Sequence, residues 1–474
     1  MEQMTKRILA IVLIAVIGTG IGVGAWFFLA APEATVNPYE YPGLGDEKMP
    51  LAQTIKIGVL DDMAQTGVYS WRGAWMAARD INLAGGVDIN GTMYYVGLVK
   101  EDTKEASYDN EAALAAAIKM VSYDPDACLG GFRSETFEIY ISRIMEADIP
   151  FMITGTASPK FCQEWLGDPY TRAFYQWLFR CMPINSDHLG EHLGYILSNY
   201  IIPNITDHQG FNVDNAWIVY EDLIWTEDIK EALLDTLNAS FPNYLGAANI
   251  TTQKIPKRTG LTAWTPAEFA GLWGTMAADG TQLIIPIISD IYYGFYFGSF
   301  YNITQPNALV AGINVAAQTS YYWPSTSGQS VYEVTIHGIA KVNMTVRTLE
   351  WYDNFTGTWG FEPIYTGLGG SDAVNLLVTA ITNEQSLINT DIVAGLEAFD
   401  EANPYPGIGA LIGFDANHDV LQTIPGIRDG FFSAPFRQYH PDGSLPLIPS
   451  GGLYPWANYV PLASKSHLIF PPWW

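Results

Sequence analysis

Two hydroxyl-rich turns are the part of this sequence best suited to chemistry. The first is Phe132-Arg133-Ser134-Glu135-Thr136, entered from a small-residue strand end at Cys128-Leu129-Gly130-Gly131, and the second is Thr154-Gly155-Thr156-Ala157-Ser158-Pro159. Small side chains leave backbone N–H groups accessible, and N–H groups and hydroxyls at a strand end or helix N-terminus bind anions and carbonyl oxygens. Ser and Thr in such places also serve simply as caps, so the surrounding elements decide. Between the turns Phe137, Ile141, Ile144 and Met145 recur at spacings of four, three and one, which predicts a helix with one buried face and Ser134 as its N-cap. Asp148-Ile149-Pro150 ends it, and Phe151-Met152-Ile153 reads as a short buried strand. The turns therefore close two consecutive strands of a parallel sheet, and ligands bind outside the carboxyl ends of such strands.

The rest of the chain supplies the elements that must hold those turns. Residues 55–60 read as the first strand, and Trp71, Ala74, Trp75, Ala78 and Ile81 mark a helix stopped by Gly85-Gly86. A strand over 94–100 follows, then a helix over 112–121 with Leu114, Ile118 and Val121 on its buried face. The rhythm repeats with strands at 216–220, Leu283–Ile288 and 309–313 and a helix over 226–237. A last helix over 372–381 is capped by Ser371 and entered from a glycine turn at 367–370. This alternation predicts doubly wound parallel sheets in two α/β lobes facing a cleft. Residues 32–53 read as a tether, and the Pro- and Trp-rich C-terminus as an extended tail laid on a surface.

Composition bounds the function. With 474 residues, 49% apolar and 15% charged, the chain can build two or three packed domains. A net charge of −26 repels phosphate backbones and argues against nucleic acid as a partner. Lys6-Arg7 precede an uncharged apolar run over 8–31, long enough at ~1.5 Å per residue for a ~30 Å hydrocarbon core. The pattern predicts a cytoplasmic stub at 1–7, a transmembrane signal anchor at 8–31 and a linker at 32–53, in a single-pass cell-membrane protein with its bulk extracellular. Sequons at Asn90, Asn204, Asn238, Asn249, Asn302, Asn343 and Asn354 fit an external glycoprotein. Cys128 reads as a core thiol; Cys162 and Cys181 flank a possible hairpin and are candidates for a disulfide. His188 and His192 lack a third metal ligand, and the calcium-loop-like run from Asp415 has Val420 and Gly426 where a loop glycine and glutamate belong. No phosphate-binding loop, dinucleotide fingerprint or nucleophile elbow is present, so neither metal, cofactor nor catalysis is expected.

One ordered set of short motifs is specific. Ile57-Gly58-Val59-Leu60, Arg72-Gly73-Ala74 and Ala77-Ala78-Arg79-Asp80-Ile81-Asn82-Leu83-Ala84-Gly85-Gly86 come first. Leu129-Gly130-Gly131 with Ser134, Ile149-Pro150, Ala157-Ser158-Pro159, Phe179-Arg180 with Pro183, Ser371-Asp372-Ala373-Val374 and Gly413-Phe414-Asp415-Ala416-Asn417 follow in register. The set, from about 54 to 430, resembles the extracytoplasmic solute-binding proteins of the branched-chain amino acid and amide type, which feed ABC transporters. The resemblance implies the type I periplasmic-binding-protein fold: two Rossmann-like lobes with parallel sheets, joined by three crossover segments, at 54–182 with 340–422 and at 183–339 with 423–474. It implies a small polar solute, an amino acid or amide, held in the cleft by Ser134, Gly155, Thr156, Ala157, Ser158, Trp225, Asp290 and Asn314. The family commonly has Thr where this chain has Ala157, and relatives that bind amino acids have an acidic residue where it has Asn314. The ligand's ammonium then falls to Asp290, or the ligand is neutral. The implied function is membrane-anchored solute capture for ABC permease subunits, with a non-catalytic ligand-sensing receptor ectodomain as the alternative.

Overall fold

β1 (Thr54–Asp61) is buried along nearly its whole length because helices cover both faces of its sheet. Around it lie β2 (Val87–Ile89), β3 (Thr92–Asp102), β4 (Ala127–Gly130), β5 (Phe151–Ile153) and β6 (Leu178–Arg180), in the order β2-β3-β1-β4-β5-β6. The computed structural model describes residues 37–210, 212–240, 250–424, 427–448 and 468–474. A second sheet runs β14-β11-β10-β9-β7-β8, from β7 (Ala216–Glu221), β8 (Ile250–Ile255), β9 (Leu283–Ile288), β10 (Leu309–Asn314), β11 (Val334–Ile336) and β14 (Phe436–Gln438). A two-stranded ribbon is made by β12 (Tyr405–Pro406) and β13 (Leu411–Ile412). The sheets are mixed, contrary to the all-parallel expectation: β2 lies antiparallel to β3, and β14 antiparallel to β11. Both antiparallel strands sit at sheet edges, where a hairpin or a returning chain can add one.

Register fixes the ends that matter. Leu60 pairs with Gly130, Gly130 with Ile153 and Ile153 with Arg180, so β1, β4, β5 and β6 finish side by side. The helix Ser134–Met145 buries Phe137, Ile141, Ile144 and Met145 as its spacing requires, although Arg133 occupies the N-cap position and Ser134 opens the first turn. The helix Asn110–Ser122 packs through Ala113, Ala116, Ala117 and Met120, and Ile118 is exposed. A smooth alanine face brings this helix close to its neighbours, and that outweighs the larger side chains on the other face.

The glycines at 367–370 do not form a turn. They lie inside the helix Tyr365–Glu384, which packs along the helix Gly67–Leu83. A Cβ on Gly73 would meet the Gly367 carbonyl oxygen at 1.9 Å, and one on Gly370 the Ser70 oxygen at 2.1 Å. Close helix packing, not backbone reversal, is what these glycines serve. The described part of the linker is also no loose tether: Tyr39 and Tyr41 are buried, and Glu40 exchanges two 2.8 Å backbone bonds with Leu98 of β3.

The membrane anchor is corrected as well. Among the described residues no helix is long and apolar enough to cross a membrane. Tyr365–Glu384, the longest at 20 residues, carries Ser371, Asp372 and Asn375 and is a core helix of the first lobe. The run 8–31 lies outside the described residues. The single-pass topology, the membrane as a partner and anchored capture therefore have no spanning helix in the structure to rest on. Cys162 and Cys181 are free and buried, as is Cys128, so the disulfide does not form.

Candidate functional site

In each sheet the chain steps to one side and then reverses: β1 to β3 and then β4 in the first, β7 to β8 and then β9 in the second. The crevice at such a reversal, outside the strands' carboxyl ends, is where open α/β sheets bind ligands. Here the two reversals meet. Arg133, just past β4, places Nη2 3.3 Å from Asp290 Oδ2 and Nη1 3.3 Å from Ser289 Oγ, both just past β9. Glu135 Oε1 accepts the backbone N–H of Ile224 at 2.7 Å, and Ser158 Oγ donates to Asp228 Oδ2 at 3.3 Å.

A cavity of about 60 Å³ lies between the sheet ends and is walled from both lobes. Water needs about 10–15 Å³ by that measure, so the space suits a small molecule. Phe132 and Tyr365 contribute from one side and Trp225, Ile313, Ile336 and Phe432 from the other. The polar side chains on the wall are Arg133, Ser289, Gln318 and His337.

The expected residues divide into those on this wall and those behind it. Gly155, Ala157 and Trp225 line the cavity. Ser134 and Thr156 come together, but their hydroxyls are bonded to each other at 2.6 Å and neither lines the wall. Ser158 is buried and turned to Asp228. Asp290 is fully buried; it takes Arg258 Nε at 2.8 and 2.9 Å as well as Arg133, and caps the helix Ile291–Ser299 through the N–H groups of Tyr292 and Tyr293. Asn314 is set behind the wall too, its amide donating at 3.0 Å to both the Tyr322 hydroxyl and Glu333.

Electrostatics centre on Arg133. Burial works against its charge, but Tyr108, Asp290, Glu221 and Glu135 outweigh that and hold its pKa above the usual value. Tyr108 lies under the guanidinium, 4.6 Å from the ring centre, and its hydroxyl accepts from Nη1 at 2.9 Å. Glu105 Oε2 accepts the backbone N–H groups of Phe132 and Arg133 and so shapes the turn; burial pushes its pKa up to about 7. Burial also raises Glu221 to about 7 against the pull of Arg133. His337 is held well below the usual range by burial and by Arg437, so its imidazole is neutral. Arg180, at the end of β6, donates to the carbonyls of Thr156 and Ser158 at 2.6 Å each and to Asp419 at 2.7 Å, fixing the second turn.

Arg133 is the single cation of the first turn, but no periodicity or spacing marks it as a ligand group. Gln318 and His337 carried no signal either, since neither belongs to a periodic segment or a motif.

No protein-family model matches the sequence, and no curated protein does. Solved structures do match in fold. A leucine-binding protein of Thermotoga maritima aligns with a TM-score of 0.64 at 13% identity, over 83% of this chain and 97% of its own. An ABC transporter substrate-binding protein of Desulfitobacterium hafniense in complex with Leu gives 0.60 at 19%, over 83% and 100%. A solute-binding protein of R. palustris in complex with benzoate gives 0.62 at 14%, over 83% and 95%. The chain thus has the type I periplasmic-binding-protein fold and resembles the branched-chain amino acid binders in architecture.

Proposed function

We propose that this protein is a solute-binding protein that closes its two lobes on a small ligand and presents it to an ABC permease, without chemistry on the ligand. The observation that carries this reading is the cavity walled by both lobes where the two sheet reversals face each other. The likeness in fold to leucine- and benzoate-bound transport proteins supports it. Closure brings Arg133 onto Ser289 and Asp290, so contacts across the cleft exist only in the closed form, and a ligand bridging the same surfaces shifts an open–closed equilibrium toward it.

The test is mass spectrometry of small molecules released on denaturing the purified full chain, followed by calorimetry and small-angle scattering with the compound identified. One-to-one binding with a fall in the radius of gyration is expected. Conversion of the compound to a product, or binding with no compaction, overturns the proposal.

A further inference from the structure

We infer that the cleft takes small carboxylates with an apolar body and no α-ammonium group, anchored by Arg133. The inference rests on the reading of the cavity as the ligand's seat and adds the ligand's chemistry. Among the described residues on the wall, Arg133 carries the one charged side chain and none is Asp or Glu. Arg133 Nε is buried and has no hydrogen-bond partner, although Nη1 and Nη2 are engaged. A fully buried guanidinium on a cavity wall, with one N–H not claimed by the protein, is suited to anchor a carboxylate. Asp290 can yield to the ligand there because Arg258 Nε still holds both of its oxygens.

The same wall excludes an ammonium. Asp290 is set behind it and serves two guanidiniums and a helix N-terminus. Glu221 is committed to the Ser289 hydroxyl at 2.7 Å and to the Ser289 and Asp290 N–H groups. Ser134 and Thr156 hydroxyls are spent on each other. Among the described residues that line the cavity, the buried side-chain atoms left unpartnered besides Arg133 Nε are Gln318 Oε1 and the neutral His337 Nε2. Those two atoms suit a hydroxyl on the ligand, and neither neutralises a cation. No carboxylate among the lining residues meets an amino acid's ammonium: Asp290, Glu221 and Glu135 lie behind the wall and already balance Arg133, and a buried charge without a close partner is unfavourable in a closed site. The apolar surfaces of Trp225, Ile313, Ile336 and Phe432 take the body.

The test uses the full chain in calorimetry at neutral pH with matched pairs that differ only in the amine. These are 4-methylpentanoate against leucine and 3-phenylpropanoate against phenylalanine, with 4-methylpentanamide as the uncharged analogue. At least one acid is expected to bind tighter than its amino acid by on the order of tenfold or more, and 4-methylpentanoate tighter than its amide. Arg133→Gln is expected to weaken the acid by ~tenfold or more and leave the amide within about threefold. If that variant does not fold, the matched pairs on the native chain decide. If neither acid binds tighter than its amino acid, the carboxylate inference is overturned and lobe closure stands. If no compound in the panel binds, the inference falls; if scattering also shows no compaction with the co-purified compound, the proposed function falls separately.

Discussion

Replacing Arg180 with Met tests whether the turn after β5 is held from behind. The side chain is fully buried, and its fork reaches Asp419 Oδ1 at 2.7 Å and the carbonyls of Thr156 and Ser158 at 2.6 Å each. Met fills much of the space and offers no donor. Asp419, whose side chain is 2% exposed, keeps only neutral partners, the Asn185 amide at 2.9 Å, the Gln163 amide at 3.2 Å and the Val420 backbone N–H at 3.0 Å. Removing one member of a buried ion pair costs ~3–5 kcal/mol, chiefly because the other charge is left uncompensated. The two carbonyls lose charged donors worth ~1.5–3 kcal/mol each, but the turn can relax, so these losses overlap with the first. About 4 kcal/mol is therefore expected, a large part of a typical ~5–15 kcal/mol total. Urea unfolding followed by tryptophan fluorescence measures it. Arg180→Lys should recover little, because one ammonium cannot serve three acceptors arranged for a planar fork. Arg180→Met with Asp419→Leu should recover a good part, since no buried charge is then stranded. A loss below ~1 kcal/mol in Arg180→Met would refute the argument. In folded Arg180→Met protein, ligand affinity should also fall, because Gly155 and Ala157 of the same turn line the cavity.

Gly73→Ala should destabilise by ~2 kcal/mol or more, because the new methyl meets backbone of the facing helix at 1.9 Å; an unchanged melting temperature would refute the close-packing role. Asp372 is buried, accepts the Ile408 N–H at 3.0 Å, and is pushed up to about 7 by burial. Its folded form keeps a proton that the unfolded chain releases near pH ~4, so it makes stability fall as pH rises from ~4 to ~7, by up to ~1.4 kcal/mol per pH unit. Asp372→Asn removes that slope, so the variant should gain on the parent across this window in urea midpoints; a pH-independent difference would count against it. Thiol titration with an aromatic disulfide reagent should find no reactive cysteine in the native chain and three after denaturation, since all three are buried and unpaired; only one after denaturation would show a bridge. Asn204 is 7% exposed and donates its amide to the Tyr200 carbonyl at 2.7 Å, so peptide mass spectrometry should find it unglycosylated in folded protein.

Much of the scaffold is local and could be read without coordinates. Leu283–Ile288 is a strand at the expected bounds because an unbroken apolar run of six residues has nowhere to sit except between two helical layers. Phe137, Ile141, Ile144 and Met145 share a helical face for the same reason of period. Period says less about which face wins when both are apolar, which is why the Ala113 face displaced Ile118. It also cannot tell a glycine needed for a turn from one needed by a neighbouring helix, as at Gly370.

The sequence by itself determined the α/β rhythm, a strand end within a residue of Gly130 and another at Ile153, and the two turns that follow them, because each depends on residues a few positions apart. Tertiary structure alone decided which side chains in those turns remain free to act. Ser134 and Thr156 became partners of each other, and Arg133, on the cavity wall, was set against Asp290, 157 residues away, with its Nε unspent. A hydrogen-bonding group is available to a ligand only if nothing else has claimed it, and those claims are settled between lobes, across distances along the chain that no local pattern encodes.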